Sequence, residues 1–184
     1  MGRPRRIEGY AIVSREGMIA TQDRVFPAGL KIGADQRFFH GALDRADAVA
    51  NGRHSNEGGA HAAERPRLRL THRVPSLAQD PDNPKTLLWN PAGIRFEDAW
   101  ERLGVDGVLA VVGGTDVFGL FLEIGYDAFF LSRAPANVPN GRPVFPGVPA
   151  RTPEAVLAGR GLVEKPARML DADAQVTVTE WVRG

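Results

Sequence analysis

The chain has 184 residues, of which 43% are hydrophobic and 24% charged, and its formal net charge at pH 7 is +1. This length suits one domain with a substantial core, and so small a net charge gives no broad electrostatic footprint for nucleic acid or an anionic membrane. The sequence contains no cysteine, which excludes disulfides and thiolate metal ligands, and no apolar run approaches the ~20 residues of a membrane span. The N-terminus is basic and then apolar, but Glu8 makes it a poor signal peptide, so we expect a cytoplasmic protein.

The first half of the chain predicts short strands and one amphipathic helix. A β-favouring run at residues 9–14 predicts a buried strand, and the segment up to residue 33 has no sustained period and predicts a long loop. Residues 34–46 predict a helix, because an apolar stripe recurs there at helical spacing. Strands are predicted at residues 48–51 and 68–74, and the turn-rich segment after the second of these predicts another loop.

Asp35 lies in the first turn of the predicted helix, on or beside its apolar stripe. An acid near a helix N-terminus commonly caps the helix and complements its dipole, and this remains one interpretation. Burial on an apolar face would instead favour the protonated carboxyl, which can hold or deliver a proton near neutral pH. Asp35 is therefore a candidate catalytic acid.

The second half contains a strand, two glycines and a helix in direct succession. Residues 108–112 predict a buried strand, Gly113 and Gly114 follow, and Val117, Leu120 and Phe121 recur at helical spacing. Such a turn lets backbone approach a ligand and lets helix N–H groups face a phosphate, although any α/β protein needs tight turns of this kind.

The remaining predicted elements complete one domain over residues 1–184. We predict strands at residues 86–89 and 126–134, helices at 96–103 and 153–158, a proline-rich loop before the last helix, and two strands near 167–170 and 175–182. Strands that alternate with helices indicate an α/β fold with a mainly parallel sheet, flanking helices and a C-terminal antiparallel strand.

Three of the predicted strands end in glycine or polar residues, at positions 52–53, 71–73 and 113–114. In parallel sheets, ligands bind outside the carboxyl ends of the strands. If these strands are neighbours, two arginines and two helix N-termini face one crevice, which suits a phosphorylated ligand. The histidines lack carboxylate or cysteine companions at ligand spacing, so we expect no metal site.

Four segments, in this order and with matching spacings, resemble the dihydrofolate reductase superfamily, which includes the riboflavin-pathway pyrimidine reductases. They are AIVSREGMIA, DQRFFHGALDRADAVANGRHS, VLAVVGGTDVFGLFL, and YDAFFLSRA followed by GRPVFP. The resemblance covers most of the chain. It implies a central eight-stranded sheet and an NADPH-dependent reductase that acts on a pterin-like or aminopyrimidine-like heterocycle, as a monomer or homodimer.

The resemblance implies a cofactor site for NADPH. Gly113 and Gly114 correspond to the family's glycine pair, which is joined by a cis peptide and lies against the nicotinamide and pyrophosphate. Arg53 would pair with the 2′-phosphate that distinguishes NADPH from NADH. The full set of implied cofactor residues is Ile12, Ile19, Ala20, Gly52, Arg53, His54, Ser55, Thr71, His72, Arg73, Gly113, Gly114, Thr115, Asp116, Val117 and Phe118.

The resemblance also implies a substrate pocket in which Asp35 is the carboxylate that binds and protonates the ring. The implied substrate residues are Phe26, Asp35, Phe39, Arg65 and Ser132, and Arg67 and Arg69 are alternatives to Arg65. Two features depart from folate reductases: Ala28 stands where they have a tryptophan, and the segment before Asp35 is one residue longer. A non-catalytic NADP(H)-binding module is therefore the alternative hypothesis.

Overall fold

A computed structural model describes residues 2–55 and 57–184, and it contains four α-helices, two single-turn 3-10 helices and twelve strands within those ranges. The α-helices are α1 (Gly33–Arg45), α2 (Phe96–Leu103), α3 (Thr115–Ile124) and α4 (Pro153–Ala158). The strands are β1 (Arg6–Val13), β2 (Met18–Ala20), β3 (Ala48–Gly52), β4 (Arg67–Leu70), β5 (Leu77–Gln79), β6 (Thr86–Trp89), β7 (Val108–Val111), β8 (Ala128–Arg133), β9 (Arg142–Pro143), β10 (Leu162–Glu164), β11 (Arg168–Asp171) and β12 (Val176–Arg183).

The main sheet has the order β10-β12-β8-β1-β7-β3-β4-β6-β5, and β11 also pairs with β12. Its six central strands, from β8 to β6, are mutually parallel, whereas β12 and β5 pair antiparallel at the two sides. The predicted α/β class, with its mainly parallel sheet and C-terminal antiparallel strand, is confirmed. Within the described ranges this sheet has ten strands rather than the eight that the resemblance implies.

Helices cover both faces of this sheet. Successive residues of a strand point to opposite faces, so neighbouring residues pack in different cores. Ala48 and Leu109 pack on the face covered by α2, α3 and α4, whereas Val49 and Ala110 pack on the face covered by α1. The first face holds the larger core, whose largest fully buried side chains include Trp89, Trp100, Phe118, Phe121 and Phe129.

Two helix ends have the local sequence signals that are typical of helix caps. The Thr152 hydroxyl accepts a hydrogen bond from the backbone N–H of Ala155 at 3.1 Å, and Pro153 opens α4. Gly104 ends α2 with φ +72°, a conformation that glycine adopts without steric cost.

Three predicted loops contain short strands instead. The segment before residue 33 includes β2, which pairs with β9 in the proline-rich loop, and the turn-rich segment after β4 includes β5. The strand β10 is also absent from the sequence prediction. Each of these strands has only two or three residues, which is too short for an alternating pattern, and each is defined by its pairing with another segment. No helix in the described ranges has the length and apolar character that crossing a membrane requires.

Candidate functional site

The carboxyl ends of β3, β4 and β7 lead into one cavity of about 820 Å³, a volume typical of small-molecule sites. The predicted residues on its wall are Ile12, Ile19, Ala20, Phe26, Asp35, Phe39, Gly52, Arg53, His54, Ser55, Thr71, His72, Arg73, Gly114, Thr115, Asp116, Val117, Phe118 and Ser132. Two predicted residues, Gly113 and Arg65, are not on this wall.

The glycine turn after β7 contacts the turn after β3 directly. The Gly113–Gly114 peptide is cis, as the resemblance implies. The Gly52 N–H donates a hydrogen bond to the Gly113 carbonyl at 2.8 Å, so Gly113 lies behind the wall and supports it. A Cβ at Gly113 would lie 3.0 Å from the Phe118 ring, and its φ of +106° disfavours any residue with a side chain. Glycine thus allows the two turns to approach and leaves backbone facing the cavity.

One end of the cavity is strongly cationic. Arg24, Arg53, Arg73 and Arg142 all line it, together with His54. Desolvation and the positive charges of these four arginines lower the pKa of His54, which favours the neutral imidazole. The Arg53 guanidinium lies 2.9 Å from Nε2 of His54 and can only donate, so Nε2 accepts. Neither Arg24 nor Arg142 was identified from the sequence. Arg24 lies in a turn without a motif, and Arg142 lies in the resembling GRPVFP segment but was given no role there.

Asp35 provides a buried acid elsewhere on the same wall. Its side chain projects from the first turn of α1 and the residue is only 7% exposed. Burial raises the pKa of Asp35, and a hydrogen bond from the buried Ser132 hydroxyl opposes part of that rise. No side chain caps α1, so Asp35 is not its cap, although its position in the first turn complements the helix dipole. The structure therefore presents a carboxyl group that retains its proton more readily than an exposed aspartate.

Aromatic rings form the wall around this acid. Tyr10, Phe38, Phe39 and Phe130 all line the cavity, and Tyr10 stacks on Phe130 with ring centroids 4.9 Å apart and an interplanar angle of 5°. Phe38 and Phe39 pack against Tyr10 at 6.2 and 6.3 Å. The phenol of Tyr10 donates to Glu8, so its polar end is already satisfied. Of these residues, only Phe39 was predicted from the sequence. Tyr10 and Phe130 lie opposite each other because β1 pairs with β8 in this register, which the sequence alone does not give.

Arg65 is paired with two acids and does not line the cavity, so it does not have the predicted position. Its guanidinium lies 2.8 Å from an Asp44 carboxylate oxygen and 3.5 Å from one of Glu57. The alternative Arg69 is likewise paired, at 2.8 Å from Asp80. These acids are 21, 8 and 11 residues away in sequence, and no short-range pattern links them to the arginines.

Arg67, the remaining alternative, braces the turn after β3 from behind. It pairs with Glu57 and donates to Oδ1 of Asn51 at 2.8 Å. The Asn51 amide in turn donates to the carbonyls of Gly52 and Ser55. Burial by itself would raise the pKa of Glu57, but the hydrogen bonds and charge of Arg67 outweigh it and lower the pKa. A buried ion pair thus fixes the backbone that carries the cavity's glycine and serine.

No protein-family model and no curated protein matches this chain. Solved structures do match. The diaminohydroxyphosphoribosylaminopyrimidine deaminase/5-amino-6-(5-phosphoribosylamino)uracil reductase of Thermotoga maritima is 17% identical with a TM-score of 0.68; the match covers 99% of this chain and 57% of that one. Dihydrofolate reductase from Enterococcus faecalis, solved with NADP(H) and RAB-propyl, is 14% identical with a TM-score of 0.64, and the match covers 97% of this chain and 96% of that one. The chain therefore has the dihydrofolate reductase-like fold, and it spans little more than half of the Thermotoga protein.

Proposed function

We propose that this chain is an NADPH-dependent reductase that transfers hydride to a pterin-like or aminopyrimidine-like heterocycle. The observation that carries the proposal is the single cavity that combines a cationic end with a buried, aromatic-walled acid. NADP(H) in the Enterococcus neighbour and the reductase name of the Thermotoga neighbour support it.

The cationic end fits a phosphorylated dinucleotide. Arg53 and Arg73 line the cavity without a carboxylate partner in the described ranges, so they are free to bind a 2′-phosphate. The first backbone N–H groups of α3 have no intrahelical acceptor, and Thr115 and Asp116 of this first turn line the cavity. Bound NADPH would supply the hydride. The chain's own contribution is to hold the phosphates and to keep the Gly114 backbone open to the ligand.

The acid end fits a flat nitrogen heterocycle. The rings around Asp35 offer apolar faces for stacking, and the Asp35 carboxyl can donate to a ring nitrogen while Ser132 fixes its orientation. The raised pKa of Asp35 increases the fraction of this acid that holds a proton near neutral pH. We do not assign substrate binding to Arg65, Arg67 or Arg69, because each is neutralised by a carboxylate.

Titration with NADPH and with NADH, followed by nicotinamide fluorescence, tests the cofactor assignment. We expect NADPH to bind at least about tenfold more tightly, because a charge-assisted hydrogen bond contributes roughly 1.5–3 kcal/mol and NADH lacks the 2′-phosphate. Equal affinities, or no binding of either dinucleotide, would contradict the proposal.

Turnover distinguishes an enzyme from the alternative of a non-catalytic NADP(H)-binding module. NADPH oxidation is followed by absorbance with dihydrofolate, a dihydropterin without the glutamate tail, or a 5-amino-6-ribosylaminouracil phosphate. We expect substrate-dependent oxidation with at least one of these ring systems. NADPH binding without oxidation in any mixture would favour the non-catalytic module.

A further inference from the structure

Four arginines line one end of the cavity without being neutralised. None of the ion pairs in residues 2–55 and 57–184 involves Arg24, Arg53, Arg73 or Arg142. The acids Asp35, Glu57 and Asp116 line the same cavity, but Asp35 lies among the aromatic rings and Glu57 is committed to Arg67. This contrasts with the three arginines near β4, each of which has an acid of its own. So much positive charge in one place favours a ligand with several negative charges.

The four arginines come from two different supports. Arg53 and Arg73 follow β3 and β4, which are neighbours in the main sheet with Gly52 facing Leu70. Arg142 opens β9, whose partner β2 leads into the turn that carries Arg24, and Ala20 faces Arg142 in that pairing. The second pair therefore belongs to the two-stranded sheet β2–β9 and approaches the cavity independently of the main sheet.

The sheet β2–β9 is attached to the start of α3. The Thr115 hydroxyl, on the first residue of α3, donates to the carbonyl of Pro143, the residue next to Arg142. Arg142 is half-buried, whereas Arg24, Arg53 and Arg73 are exposed. All four arginines line the same cavity, and the positive charge of each lowers the pKa of the His54 imidazole.

We propose that Arg24 and Arg142 bind the diphosphate of the dinucleotide whose 2′-phosphate is assigned above to Arg53 and Arg73. The inference rests on the proposed function. The attachment of Arg142 beside the first turn of α3 places it where a helix N-terminus also favours a phosphate group. The two pairs then divide their roles: the pair on the main sheet selects NADPH over NADH, and the pair on β2–β9 adds affinity for both.

Parallel titrations of Arg142→Gln and Arg53→Gln with NADPH and NADH test this division. We expect Arg142→Gln to raise the Kd for both dinucleotides by roughly 10- to 100-fold, with the ratio of the two affinities kept, because both carry a diphosphate. Arg24→Gln should act in the same way. Arg53→Gln should weaken NADPH alone and so reduce the ratio. Arg102→Gln, on α2 and away from the cavity, is the matched control for loss of one charge.

Each other outcome overturns the inference. If Arg142→Gln and Arg24→Gln leave both Kd values within about twofold of the parent while Arg53→Gln reduces the ratio, the cofactor site exists but these two arginines are not part of it. If Arg142→Gln reduces the ratio as Arg53→Gln does, Arg142 binds the 2′-phosphate instead. If the parent chain binds neither dinucleotide, the proposed function itself fails and this inference fails with it.

Discussion

Replacement of Asp35 by asparagine tests two consequences of this buried acid: the proton that it supplies to the reaction and the stability that its burial costs. The two side chains have nearly the same shape, and the Ser132 hydroxyl can donate to the amide oxygen as it does to the carboxyl. Asparagine cannot supply a proton. A positioned general acid contributes about 100- to 10,000-fold to rate, so Asp35→Asn should lower turnover by that factor, equivalent to roughly 3–5 kcal/mol of barrier.

The same substitution should stabilise the protein at neutral pH. Burial raises the pKa of Asp35 above its value in the unfolded chain, so the folded state binds this proton more tightly. The wild type therefore loses stability as pH rises through the folded pKa of Asp35, whereas the asparagine variant does not. Each unit of that pKa rise corresponds to about 1.4 kcal/mol, so the difference in free energy of unfolding between variant and wild type at pH 7 measures the rise.

Two assays check this reasoning. Steady-state NADPH oxidation gives the loss of turnover, and NADPH titration of the same variant should show a Kd within about twofold of the wild type, because Asp35 is not among the groups at the cationic end. Urea unfolding at pH 7 and again below about pH 4 gives the stability difference, which should disappear in acid. Undiminished turnover would refute the proton role, and a variant less stable at every pH would refute the burial argument.

Two further substitutions test the backbone around the cavity. Gly113→Ala forces a side chain into φ +106° and to 3.0 Å from Phe118, so we expect the free energy of unfolding in urea to fall by about 2 kcal/mol and NADPH to bind more weakly. The control is Gly104→Ala, at φ +72° with open space around it, which should lower the free energy of unfolding by about 1 kcal/mol and leave binding unchanged. Arg67→Met leaves the Glu57 carboxylate buried without its main partner and should cost about 3–5 kcal/mol, part of which the double variant with Glu57→Gln should recover. A double variant no more stable than Arg67→Met would contradict that account.

The sequence predicts the elements that have their own local signals. The strand Thr86–Trp89 and the helices Phe96–Leu103 and Pro153–Ala158 have the predicted bounds, because apolar periodicity, caps and prolines act within a few residues. The strands β2, β5, β9 and β10 lack such signals and exist because another segment pairs with them, which for β2 and β9 lies more than 100 residues away.

The candidate site likewise contains residues that local sequence patterns predict and residues that only tertiary contacts bring there. The glycine turns and Asp35 follow recognisable patterns, and the structure brings them to one cavity wall. Arg24 and Arg142 reach that wall from segments without periodicity, so their contribution depends on the pairing of β2 with β9. Arg65 shows the opposite case: its charge is visible in the sequence, but its neutralisation by Asp44 and Glu57 is set by tertiary contacts.

The central place of β1 also constrains the order in which the domain can assemble. This first strand of the chain lies between β7 and β8, so Ile7 faces Leu109 and Ala11 faces Leu131. During synthesis from the N-terminus, β1 has no neighbour in the sheet until β7 emerges, well after the middle of the chain. Contacts of this sequence separation slow folding and leave an apolar strand unprotected on a growing chain. The cavity wall draws on residues from Tyr10 to Arg142, so it is complete only after most of the chain has been synthesised, and dinucleotide binding would report that state.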